Sequence, residues 1–212
     1  GGRIASTFEN NTFTGKLQAY GGRSNLSPGG AGTVYLSSKD GAFRKLIVDN
    51  SNNGKPSSDT IEDISRDGGR TWLTPSVGSH KVVLSHLDIR GLGHLASLTN
   101  SSQGNLEWDI GTITGDKTGL LHILANQRLV ITGKERSKSA DLPWGINVYP
   151  RGELTLSESF FVDGIKIIVA GRLNGARNLT VANGGTVILR QMINPEGKIS
   201  RHTSFDIIKV QG

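Results

Sequence analysis

A parallel β-helix built from short strands is the fold this sequence predicts, on three observations. Apolar alternation returns every eight to twelve residues and is broken each time by Gly, Asn or Asp. Glycine is abundant, 29 residues in 212, which argues against helix because each interior glycine costs about 1 kcal/mol relative to alanine. Hydrophobic residues make up only 35%, yet they gather in runs of three to five of the kind that line a stacked core.

The elements follow in chain order. "GGRIASTF" reads as a strand already in progress at the start of the chain. "GKLQAYGG" puts Leu17 and Ala19 on one face, and "GTVYLSS" does the same with Val34 and Leu36. "RKLIVDN" is a short buried run, and "TIEDISRDGG" holds one helical turn at most before its glycines stop it. In "NLEWDIG", Leu106, Trp108 and Ile110 alternate with Glu107 and Asp109, as a half-buried strand requires. The stretches "GINVYPRGELTLSE" and "GIKIIVAGRLNGARNLTVANGGTVILR" carry strands near residues 154–156, 165–169, 179–181 and 187–189. Their separators are small turn residues that fit the corners between sheets, with rungs of roughly 20–25 residues. A β-sandwich is the alternative; a propeller, at roughly 40–50 residues per blade, would have only four or five blades here. One domain over 1–212 is expected, a segment of a larger protein, with a hairpin insertion around 55–76. The apolar "SFDIIKV" near the end, with no capping helix after it, leads us to expect other domains or other copies over at least one end of the stack.

The segments "GGRIA", "GGAGTVYL" and "KLIVDN", continued by "GDKTGLLHI", "LPWGINVYPRGELTL" and "NLTVANGGTVIL", resemble Gly-rich extracellular proteins with a right-handed parallel β-helix of the pectate-lyase-like superfamily. The resemblance spans most of the chain and implies architecture more than activity. Enzymes of that superfamily group carboxylates that hold calcium beside an arginine or lysine base, or group aspartates for hydrolysis. The acidic candidates are Asp59, Glu62 and Asp63, with Asp67 nearby; calcium needs six to eight oxygens, and an exposed charged loop is the competing reading. No other cofactor is expected.

"SRDGGRTW" resembles the Asp-box of sialidases and other β-propellers, through Ser65, Asp67, Gly69, Thr71 and Trp72. Its chemistry is that of a turn: Asp67 accepts backbone N–H groups, Gly69 takes a shape closed to other residues, and Trp72 anchors the hairpin. A sialidase-like site would also need a tyrosine nucleophile with a carboxylate partner. None of Tyr20, Tyr35 and Tyr149 lies in such a motif.

His80, His86, His94, His122 and His202 lack the HExxH spacing and a cysteine partner, since the chain has no cysteine, so satisfied or exposed histidines are expected rather than zinc ligands. No GxSxG elbow is present, and the glycine runs lack the helix and lysine of a phosphate loop.

The net charge of +6 and a pI near 9.7 favour an acidic polysaccharide or another polyanionic surface as partner. The dense basic run is "KERSK", with Lys134, Arg136 and Lys138 as candidate polyanion contacts and a solvated loop as the plainer account. No aromatic-interleaved basic motif supports nucleic acid, and no run of about 18 apolar residues supports a membrane span. Asn10, Asn25, Asn100 and Asn178 begin Asn-x-Ser/Thr sequons, which point to a secreted, extracellular glycoprotein. The expected role is a structural or adhesive module that self-assembles and binds acidic glycan. The alternative is a polysaccharide lyase or glycoside hydrolase on the same fold.

Overall fold

The computed structural model describes residues 1–10, 12–22, 29–53, 69–75, 80–98, 105–116, 118–132, 145–175 and 177–190, together with the backbone of three short strands beyond them. The first strands are β1 (Arg3–Phe8), β2 (Thr33–Ser38), β3 (Arg44–Asp49), β4 (Thr71–Leu73), β5 (Lys81–Arg90), β6 (His94–Ser97) and β7 (Leu106–Gly115). Next come β8 (Leu120–Ile123), β9 (Gln127–Ile131), β10 (Gly145–Val148), β11 (Glu153–Thr155), β12 (Ser159–Asp163) and β13 (Lys166–Val169). The last are β14 (Arg172–Asn174), β15 (Asn178–Ala182), β16 (Thr186–Leu189), β17 (Met192–Ile193), β18 (Ile199–Ser200) and β19 (Ile207–Val210). Among the described residues the protein is all-β, without a helix, so no helix there is long and apolar enough to cross a membrane.

The strands form an eight-stranded sheet in the order β1-β2-β3-β5-β7-β9-β11-β14 and a six-stranded sheet in the order β16-β13-β10-β8-β6-β4. A three-stranded sheet, β12-β15-β19, and a two-stranded one, β17-β18, complete the set. Pairing is parallel except for β2 with β3 and β17 with β18. From β3 to β11 the chain alternates between the two large sheets, and from β11 it visits the eight-, three- and six-stranded sheets in turn. Every parallel neighbour is thus a strand from a later or earlier pass of the chain, because parallel strands must be joined by a crossover and not by a tight turn.

Register stacks like on like. Trp108, Leu129, Leu154 and Leu173 form one ladder on the eight-stranded sheet. Leu95, Leu121, Ile146 and Ile167 form another on the six-stranded sheet, and Phe160 stacks on Leu179 in the three-stranded one. All of these side chains belong to one buried core. Fully burying each aliphatic contributes about 1.5–3 kcal/mol, which makes these ladders the main source of stability.

The two long strands change phase midway. In β5 the core positions run Leu84, then Leu87 and Ile89; in β7 they run Leu106, Trp108 and Ile110, then Ile113. Both slips occur at the same level, where Ser85 meets Gly111. A Cβ at Gly111 would lie 2.7 Å from the Ser85 carbonyl oxygen, so only glycine lets the strands pass there. Past the slip β5 pairs also with β3, whereas β9 pairs only with the part of β7 before it.

The strands expected at 154–156, 165–169, 179–181 and 187–189 are present as β11, β13, β15 and β16. The strand expected around Leu17 and Ala19 is not. Residues 12–22 form no strand; the Ala19 carbonyl instead accepts the Gly32 N–H at 2.5 Å, and the Gly21 N–H goes to Asn50 Oδ1 at 2.9 Å. A local alternation was outcompeted there by tertiary partners for the backbone. Of the segment 55–76, the described part supplies β4, which pairs parallel with β6.

Candidate binding groove

One residue before each core ladder position on the eight-stranded sheet, the sequence carries a charge: Lys81 before Val82, Glu107 before Trp108, Arg128 before Leu129, Glu153 before Leu154, Arg172 before Leu173. A strand turns successive side chains to opposite faces, so burial of the second residue forces the first outward. Parallel register then brings the five charges into one row across the sheet, alternating in sign. Lys81 Nζ lies 3.0 Å from Glu107 and 2.9 Å from Asp109. Arg128 bridges Glu107 at 3.5 Å and Glu153 at 3.1 Å, and Arg172 reaches Glu153 at 4.0 Å. Opposite charges on adjacent strands attract by roughly 0.2–1 kcal/mol per pair where like charges would repel. The Asp109 and Glu107 contacts raise the Lys81 ammonium above its ordinary value.

Four members of this row, Glu107, Arg128, Glu153 and Arg172, form the floor of a groove of about 710 Å³. Its rim is a column of turns that stack by backbone hydrogen bonds, Leu106 N to Asn126 O at 3.0 Å and Asn126 N to Arg151 O at 3.2 Å. Asn126 and Arg151 occupy equivalent places in those turns, and both are left-handed, with φ of 61° and 65°. Asparagine takes that shape readily; arginine does so at a cost of roughly 1–2 kcal/mol. Beside them Gly152 and Gly171 let successive turns approach closely: a Cβ at Gly171 would stand 2.1 Å from the Gly152 carbonyl oxygen. Arg151 is exposed and makes no ion pair among the described residues. The Arg172 side chain is 59% exposed.

The outer face of the six-stranded sheet is different. Leu120, His122, Asn147 and Ile168 point away from the core ladders yet are buried. His122 stacks between His94 and Tyr149, with ring centroids 5.4 and 5.9 Å away. Its Nε2 is 3.3 Å from His94 Nδ1 and its Nδ1 is 3.2 Å from Tyr149 Oη, so both ring nitrogens are engaged. Burial, and then the nearby charges of His94 and Arg70, hold the His122 imidazole well below its ordinary value of 6.5. His122 is thus a satisfied histidine, with a partner at each ring nitrogen.

Of the residues singled out in the sequence, Ser65, Asp67, Asp59, Glu62, Asp63, Lys134, Arg136, Lys138, Asn25, Asn100 and His202 lie outside the described residues. Gly69 has a φ of 95°, the Thr71 hydroxyl donates to the Ala31 carbonyl at 2.6 Å, and Trp72 is half-buried in β4. Asn10 is exposed, as is Asn178 at the start of β15. Among the described residues no three His, Cys, Asp or Glu side chains gather as a metal site would need. The charged row escaped sequence reading because its five members are scattered over 92 positions, from 81 to 172, and only register aligns them. The recurring charge-then-apolar pair was the signal that could have found it.

No family model matches the chain, and no curated protein or solved structure matches it either.

Proposed function

We propose that the chain is a segment of a parallel β-helix that serves as an extracellular structural or adhesive scaffold, and that it binds acidic glycan along the outer face of its eight-stranded sheet. The observation that carries this reading is the groove. It runs across four strands, β7, β9, β11 and β14, and it presents Arg128, Arg151 and Arg172 against Glu107 and Glu153. Guanidinium groups match carboxylates through paired N–H donors, which makes arginine the favoured residue for such ligands. The two carboxylates are each bridged to cations on neighbouring strands, an arrangement that braces the rungs. The parallel register, the core ladders and the sequence resemblance to Gly-rich β-helix proteins support the scaffold half of the proposal. So does the excess of basic residues, 24 against 18 acidic.

The test is binding to an immobilised carboxylated polysaccharide at low and moderate salt, with a neutral dextran as reference. Retention of the acidic polymer alone, weakened by salt and by the joint substitution Arg151→Gln and Arg172→Gln, is the expected result. Absence of retention at low salt, or indifference to the joint substitution, would overturn it.

A further inference from the structure

From the alternation of charge along the groove we infer its ligand class: a polysaccharide carrying one carboxylate on every second sugar, laid across the strands. This rests on the glycan-binding reading above. Adjacent strands are about 4.8 Å apart, so Arg128 and Arg172, on alternate strands of the groove floor, stand about 9.6 Å apart. A sugar ring in an extended chain advances by about one strand spacing, and a disaccharide therefore spans one cationic repeat. Carboxylates at that period meet Arg128 and Arg172 in turn.

The intervening strands select as well. Glu107 and Glu153 face the sugars between, where they accept hydrogen bonds from hydroxyl or amide N–H groups. A second carboxylate at that level would be set against them, so a polymer charged on every sugar is disfavoured by the same row that favours the alternating one. The arginines retain donors for the ligand. Arg128 uses Nε and Nη1 on Glu153 and Glu107, leaving Nη2, and the contact of Arg172 with Glu153 is at 4.0 Å. Arg151, held at the rim in a backbone shape that asparagine adopts one turn earlier, adds a cation that the ion-paired row does not consume.

The test compares oligosaccharides of equal length on the full chain by calorimetry: hyaluronan, with a carboxylate on alternate sugars, and oligogalacturonate, with one on each. Hyaluronan is expected to bind about tenfold more tightly although its charge density is half as great, a preference that plain electrostatic attraction would reverse. Arg172→Gln should weaken hyaluronan by about tenfold with the melting temperature unchanged, and Glu153→Gln should improve oligogalacturonate. If oligogalacturonate binds as well or better while Arg172→Gln still weakens it, the alternating-carboxylate inference falls and the glycan-binding groove stands. If neither oligomer binds, or if binding ignores Arg172→Gln and Arg151→Gln, the groove reading itself falls.

Discussion

The outer faces of the two large sheets share a backbone plan and differ in everything their side chains do. On the eight-stranded sheet the outward row is Lys81, Glu107, Arg128, Glu153 and Arg172, open to solvent and neutralised along its own length. On the six-stranded sheet the outward positions include Leu120, His122, Asn147 and Ile168, all buried, with His122 hydrogen-bonded within a ring stack. In a parallel sheet in register, each strand repeats on the face whatever its neighbour places there. Charges can stack only if their sign alternates, and buried polar groups only if each finds a partner.

The largest expected contrast comes from aliphatic truncation. Ile168→Ala, on the buried outer face, is expected to cost about 2–4 kcal/mol by leaving a cavity, whereas Val83→Ala, 43% exposed on the other sheet, should stay within about 0.5 kcal/mol. Urea denaturation of both variants measures the difference. Equal costs would show that the two faces are not distinct.

Acid sharpens the comparison next. The folded-state value of His122 lies below its unfolded value near 6.5, so the unfolded chain takes up the proton more readily. Its contribution is therefore complete above about pH 6.5 and declines as pH falls below that, by up to about 1.4 kcal/mol per pH unit, until the folded imidazole itself titrates. Melting temperatures between pH 7.5 and 5 should show this slope, and His122→Gln should flatten it. A slope that survives the substitution would assign the effect to other groups.

Smaller effects belong to the charged row. Glu153→Gln removes the carboxylate shared by Arg128 and Arg172 and should cost about 1 kcal/mol, less in high salt, with a double-mutant cycle against Arg128→Gln showing positive coupling. Smallest of all, Arg151→Gly should raise stability by about 0.5 kcal/mol, since glycine relieves the left-handed backbone at the expense of some chain entropy. A fall in melting temperature would mean that Arg151 serves the fold.

Strand positions in the second half of the chain were legible because alternation and Gly/Asn punctuation are local properties, as in "NLEWDIG" and "NLTVANGGTVIL". The same local reasoning put a strand at Leu17 and Ala19, where Gly32 and Asn50, distant in sequence, take the backbone groups instead. Sequence alone thus determined the all-β class, the excess of basic charge and which residues of each short strand face the core, because backbone geometry fixes those once a strand forms. Only the tertiary structure decided that Lys81, Glu107, Arg128, Glu153 and Arg172 meet, that His122 lies between His94 and Tyr149, and which outer face stays open. Those facts depend on register between separate passes of the chain, such as His94 and His122, 28 residues apart, and a shift of one residue would turn every charge in the row toward the core.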